Sequence, residues 1–382
     1  MKKFLALLLS IAMVATLVAC SAPKTTETAE TAAPATEATK ASTIYVLGPT
    51  PDHGWTAQAG TYAQQKCEEI TKAGKYKAIF QPATNGEQQV DQVNTIIANG
   101  DAVGVMFFAL DDTAKAGQEA LIANNIPFIS FDRIIEGPDK YAILNASGDN
   151  WQCGAGIAYW LQKNGMEPGA TLVTLYGDNG TVCGRREEGF RQFLKGEIKY
   201  HDDNEKKDYE TTKVWTDEEI DKLMADYKTV CNWSADGAYQ YLEQKMEEIA
   251  DTAKKNNGKL YIYSMDDEMT FGVLNLLEGN TLSDATKKTI EELEVYISAI
   301  GGMQELYDVM SGKSAQAPIA KQYFNDMMSV YFSPKMVKNV IDYMVKFADN
   351  DNWTFKVGEG KYEPVWIVDA NNVNNFEGFT GH

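Results

Sequence analysis

The 382-residue chain has three histidines, His53, His201 and His382, and five cysteines with no Cys-x-x-Cys pair, so a zinc site has neither the ligands nor the spacing. It has no Walker loop and no Gly-x-Ser-x-Gly elbow. Gly154-Ala155-Gly156 lacks the third glycine of a dinucleotide fingerprint and has no clean strand before it. The acidic run Asp202-Asp203-Asn204-Glu205 lacks the glycine and closing glutamate of an EF-hand. No catalytic group, cofactor or metal is therefore expected, and the chain reads as a non-enzyme. Positive charge is also short, with 35 Lys and Arg against 54 Asp and Glu. That balance argues against nucleic acid and against binding through anionic headgroups.

Long apolar runs are scarce as well. Residues 4–18 follow Met1-Lys2-Lys3 and are too few and wrongly flanked to span a bilayer. They run into Leu17-Val18-Ala19-Cys20, which reads as a signal peptide over residues 1–19 with a lipobox at Cys20. A diacylated Cys20 would hold the chain stably at a membrane. Loss of Lys2 and Lys3 with the signal takes the formal charge from −19 to −21. From Cys20 to Ser42 the chain has Ser, Thr, Ala, Glu and Pro and no large apolar residue, the composition of a disordered tether. Its length favours the outer surface of a Gram-positive membrane over a periplasm.

What the chain does have is alternation. Residues 44–47, 78–81, 103–108 and 126–131 read as strands, with helical patterns over 57–72, 88–98 and 114–123 between them. The alternation restarts after Asn145. Helix 154–162, strand 172–176, helices 185–194 and 238–254, strand 260–264, helix 269–277 and strand 295–300 follow, and residues 318–323 read as a last strand. The fold class is α/β, two doubly wound parallel-sheet domains in series, which suits about 340 residues beyond the tether. Residues 197–228, charged and irregular around a helix at 218–227, read as a surface insertion.

In such sheets ligands bind beyond the carboxyl ends of the strands. Ile126-Pro127-Phe128-Ile129-Ser130-Phe131 ends in Asp132-Arg133, an acceptor beside a donor, as adjacent sugar hydroxyls require. The first loop carries Pro51-Asp52-His53-Gly54-Trp55. Others carry Asn179 to Arg186, Asn232-Trp233-Ser234 and Ser264-Met265-Asp266-Asp267-Glu268. A solvated ion pair at Asp132-Arg133, core packing at Trp55 and Trp233, and a surface cation at Arg185 are the structural alternatives.

Together these residues resemble the ribose and galactose receptor family, periplasmic-type sugar-binding proteins that serve ABC transporters. The resemblance runs from Ile44 to about Val373. Phe131-Asp132-Arg133 matches the family's strand-end pair, and Ala146-Ser147-Gly148-Asp149-Asn150 its crossover. Arg186-Glu187-Glu188-Gly189-Phe190 matches its binding arginine and helix. The resemblance implies the periplasmic binding protein type I fold, hinged by three crossovers. One domain is 43–148 plus about 323–362, and the other 149–322 plus about 363–382. It implies ligand contacts from His53, Trp55, Asp132, Arg133, Arg186, Trp233, Asp266 and Asn325, with Asp267 as the cap of the next helix. Asp266 replaces the family's asparagine and Gly301 its strand-end aspartate, a relocated carboxylate. Asp132 and Asp266 would balance Arg133 and Arg186, which suits an uncharged polyhydroxyl ligand.

The implied function is capture of a monosaccharide or polyol by a monomeric receptor that closes about its hinge and delivers the ligand to an ABC permease. The alternatives are a lipid-anchored sensor of a sugar or furanosyl signal and an exported enzyme on the same scaffold. A neighbouring kinase gene would favour the sensor, and ligand turnover the enzyme. Four cysteines remain after Cys20. Cys183 with Cys231 is the first pairing to consider, with free buried thiols as the alternative.

Overall fold

The computed structural model describes residues 42–51 and 54–380. The signal segment, Cys20, the tether up to Ala41 and His53 lie outside the described residues. The strands in chain order are β1 (Thr43–Pro49), β2 (Lys77–Ala83), β3 (Ala102–Phe108), β4 (Phe128–Phe131), β5 (Leu144–Gly148), β6 (Thr171–Tyr176) and β7 (Tyr200–Asp202). Then come β8 (Lys207–Tyr209), β9 (Tyr227–Val230), β10 (Lys259–Ser264), β11 (Glu294–Gly301), β12 (Asp326–Tyr331), β13 (Gly360–Glu363) and β14 (Trp366–Asp369).

Twelve of them form two six-stranded sheets, ordered β13-β5-β4-β3-β1-β2 and β14-β12-β11-β10-β6-β9. Every neighbouring pair is parallel except β12 with β14. Helices cover both faces, which is why β1, β4, β5 and β6 are buried at every position. Along β1 the side chains still alternate. Ile44 and Val46 enter the large core cluster with Ala59, Ala63 and Met344, while Tyr45 and Leu47 pack with Val93, Ile96 and Leu121 on the other side. In each sheet the strand order reverses beside the first strand, at β1 with β3 and at β6 with β10. That reversal opens the crevice in which such sheets hold ligands. Each sheet with its helices forms one lobe.

The chain passes between lobes three times, after β5, after β12 and between β13 and β14. The second passage differs from expectation. Residues 318–323 lie in a helix, Ala317–Tyr323, whose first turn carries Pro318, where a missing N–H costs nothing. The strand is β12 at Asp326–Tyr331, and it belongs to the second sheet, so the chain returns to the first lobe after Tyr331 rather than near 323.

The irregular segment also contributes more than a surface insertion. It forms the hairpin of β7 and β8 and a helix, Asp217–Ala225, opened by a Thr216–Glu219 capping box. Beyond that helix β9 pairs with β6 as the edge strand of the second sheet. Cys67, Cys153, Cys183 and Cys231 are free and buried, so the Cys183–Cys231 pairing is not formed. Cys183 Sγ instead accepts from the Asp178 N–H at 3.5 Å. Among the described residues no helix is long and apolar enough to cross a membrane.

Candidate ligand-binding cleft

A cleft of about 340 Å³ lies between the lobes, lined by the carboxyl ends of strands from both. The first lobe contributes Pro49 and Thr50 at the end of β1, Ala83 and Thr84 at the end of β2, Phe108 to Leu110 at the end of β3, and Asp132 and Arg133 after β4. The second contributes Asn232 and Trp233 beyond β9, Asp266 and Glu268 beyond β10, Ile300 and Gly301 of β11, and Phe332 after β12. Trp55 and Val182 enter from the first turns of their helices and Arg186 from the second turn of helix Thr181–Leu194.

Four aromatic rings form the walls. Trp55 lies 6.0 Å from Phe108 and 5.4 Å from Phe332 between ring centroids, and its Nε1 donates to the Phe332 carbonyl at 2.6 Å. Trp233 enters from the second lobe, in a strained backbone. Asn232 and Trp233 have φ of 54° and 57°, and Asp132 has 60°, a region that β-carbon-bearing residues seldom occupy. Such strain persists where surrounding contacts impose it, typically at ligand clamps. Here Gly177 lets the indole in, because a Cβ at that position would lie 2.1 Å from the Trp233 ring.

The two arginines are held differently. Arg133 Nη2 meets Asp178 Oδ2 at 2.6 Å and Nη1 lies 3.7 Å from Asp112, so a cation of the first lobe is paired to an acid of the second. The guanidinium passes over Gly180, where a Cβ would fall 1.9 Å from Nη1. Asp178 also accepts from Gly180 N at 2.7 Å and from Trp233 Nε1 at 3.2 Å. Burial alone would raise the Asp178 carboxyl, but Arg133 and these donors hold it below the usual range. Arg186 is fixed by neutral oxygens. Its Nε donates to Asn150 Oδ1 at 2.9 Å and its Nη1 to the Met265 carbonyl, and the guanidinium lies 5.6 Å from the Trp233 ring and 5.3 Å from Phe332.

The adjacent acids divide the roles otherwise than the resemblance implied. Asp266 lines the cleft and is itself the N-cap of helix Asp267–Glu278, accepting from Glu268 N at 2.9 Å. Asp267 is buried below and accepts from Gly302 N, Met303 N and Ser329 Oγ, each at 2.7 Å. It ties the loop after β11 to β12. Burial and the neighbouring Asp267 push Asp266 up to about 8, and burial, against those three donors, pushes Asp267 up to about 6. Burial likewise raises Asp132, against the opposing charge of Arg186 and Arg133.

Trp55, Asp132, Arg133, Arg186, Trp233 and Asp266 are thus brought together in one cleft. Asn325 is not. It precedes β12, at the amino end of the strand, where its side chain accepts from Val295 N at 2.7 Å. Placing a strand at 318–323 had put it at the opposite, carboxyl end. Arg185 lies off the cleft, stacked on Trp151 at 4.7 Å. Asp178, Glu268, Phe108 and Phe332 were not singled out from the sequence. The turn Gly177-Asp178-Asn179-Gly180 directly after a strand was the available signal for the first.

Two α/β lobes with a shared cleft at their strand ends define a solute-binding receptor of the hinged kind. A family model described as periplasmic binding protein domain matches residues 44–325, and the chain belongs to that family. The architecture agrees with solved structures. A galactofuranose binding protein has a TM-score of 0.63 at 16% identity, over 87% of this chain and 96% of that one. The arabinose transporter component of Shewanella sp. ANA-3, bound to L-arabinofuranose, has 0.60 at 15%, over 87% and 94%. The Caulobacter myo-inositol binding protein has 0.62 at 14%, over 90% and 98%. No curated protein matches the chain.

Proposed function

We propose that this chain is an extracytoplasmic receptor for a monosaccharide or related polyol, held at the membrane by a lipid on Cys20, and that it delivers its ligand to an ABC permease. The observation that carries this reading is the composition of the cleft, in which aromatic faces from both lobes enclose carboxyl and guanidinium groups. Aromatic rings cover the C–H faces of a sugar ring, and charged groups bind its hydroxyls. A cleft rich in acid disfavours phosphates and other anions. The furanoses and inositol named for the structural neighbours belong to this ligand class. Because each lobe supplies part of the contact set, the full set exists only when the lobes are closed, and the ligand shifts the population toward that form.

A thermal-shift panel of monosaccharides and polyols on protein starting at Ser21 tests this. A ligand at 100-fold its dissociation constant should stabilise by about 2.7 kcal/mol. No shift from any member would refute the ligand class. Membrane fractionation of Cys20→Ser tests the anchor, since equal retention of wild type and variant would refute it.

A further inference from the structure

The cleft carries more acid than its cations neutralise. Among the described residues its charged lining is Asp132, Arg133, Arg186, Asp266 and Glu268. Arg133 is already committed to Asp178 and Asp112. Arg186 is bound by neutral oxygens, so its charge stays available to the cleft. Three carboxyls therefore face one uncommitted guanidinium; Asp266, pushed up to about 8, keeps its proton at neutral pH, and Asp132 with Glu268 still outnumbers Arg186, so the balance expected from the sequence does not hold. One of the carboxyls also lacks a donor, since Glu268 Oε2 is buried without a partner. The N-terminus of helix Asp267–Glu278 offsets about half a charge, less than the excess.

A buried carboxylate without a donor is costly, and hydroxyls of a neutral ligand would supply hydrogen bonds while leaving the charge in place. An ammonium group removes both deficits, and the faces of Trp55 and Trp233 favour the same cation. We infer that the ligand of this cleft is a polyol bearing a protonated amine, an amino sugar or aminated cyclitol, with Glu268 and Asp266 receiving the ammonium. This rests on the receptor reading above and narrows its ligand class.

The test is isothermal titration at neutral pH with matched pairs: D-galactosamine and D-galactose, D-glucosamine and D-glucose, an aminodeoxy-inositol and myo-inositol. At least one amine should bind about tenfold or more tightly than its hydroxyl counterpart, the scale of a desolvated charge contact. Glu268→Gln should lower the ratio of amine to neutral affinity several-fold. Neutral members that bind equally or more tightly would overturn the inference and leave the receptor reading standing. An amine preference that survives both Glu268→Gln and Asp266→Asn would overturn it by removing its carboxyls. Binding of neither set overturns both.

Discussion

Arg133, beyond β4 in one lobe, and Asp178, beyond β6 in the other, meet across the mouth of the cleft at 2.6 Å. The pair joins the two lobes directly, so it contributes to holding them closed. Only the arginine is fully desolvated, since the Asp178 side chain is 31% exposed. Removing its partner strands a buried cation, and the cost falls at the low end of the usual range, about 2 kcal/mol. Asp178→Asn should therefore shift the ligand-free protein toward a more open form, read as a larger radius of gyration in solution scattering. An unchanged radius would show that the pair holds nothing closed. The Asp178 carboxyl lies below its ordinary 3.8, so its contribution is complete above that pH and is lost as pH falls through the lower folded value. The variant should flatten that acid limb.

Trp233 and Gly177 make a second coupled pair. The indole occupies the space a side chain at 177 would take, so Gly177→Ala should displace it and weaken ligand binding about as much as Trp233→Ala, roughly tenfold. At φ 57° a glycine is relaxed where alanine is strained, and Trp233→Gly should be the more stable of the two truncations by about 1 kcal/mol. Titration and denaturant unfolding read the two effects. Full affinity in Gly177→Ala would take Trp233 out of the site.

Asp266 and Asp267 should separate cleanly into binding and folding. Asp267→Ala leaves Met303 N and Ser329 Oγ without their acceptor and Gly302 N with only its longer bond to Ser329 Oγ at 3.1 Å, and should cost about 3 kcal/mol or more of stability. Asp266→Ala removes a helix cap, worth about 1 kcal/mol, while affinity drops by about 2 to 5 kcal/mol. Measuring unfolding and ligand titration on both variants decides it. A larger affinity loss at Asp267, in protein that still folds, would reverse the assignment.

The parts of this site that were readable lie where strand ends are unambiguous. An apolar run closing on Asp132-Arg133 has one reading in a parallel sheet, and the turn formers around Trp55 and Trp233 marked loops at the same edge. Asn325 was misplaced because a short apolar segment, 318–323, has the same pattern as helix or strand, and the wrong choice inverts which end faces the ligand. Phe332 was lost with it. Asp178 and Glu268 matter through their partners, and pairing across two lobes has no local signature. Sequence counts charges along the chain, whereas the cleft depends on which of them are already neutralised.

The excess of acid in the cleft also sets how stability depends on pH. Asp266 is pushed up to about 8 and Asp267 to about 6, while both titrate near 3.8 in the unfolded chain. Between those values the folded protein keeps protons that the unfolded chain has released. Stability therefore falls as pH rises through that window and levels off above about 8, the reverse of a salt-bridged carboxylate. Asp266→Asn retains the cap, since asparagine is as good an N-cap, and removes the titration. The variant should match wild type near pH 5 and exceed it at pH 8 by about 1 to 2 kcal/mol, a figure lowered because the side chain is partly open to the cleft. Melting temperatures from pH 5 to 9 on ligand-free protein measure the difference. Parallel curves for the two proteins would mean that Asp266 is ionised throughout, and that the cleft holds a compensating positive charge not found among the described residues.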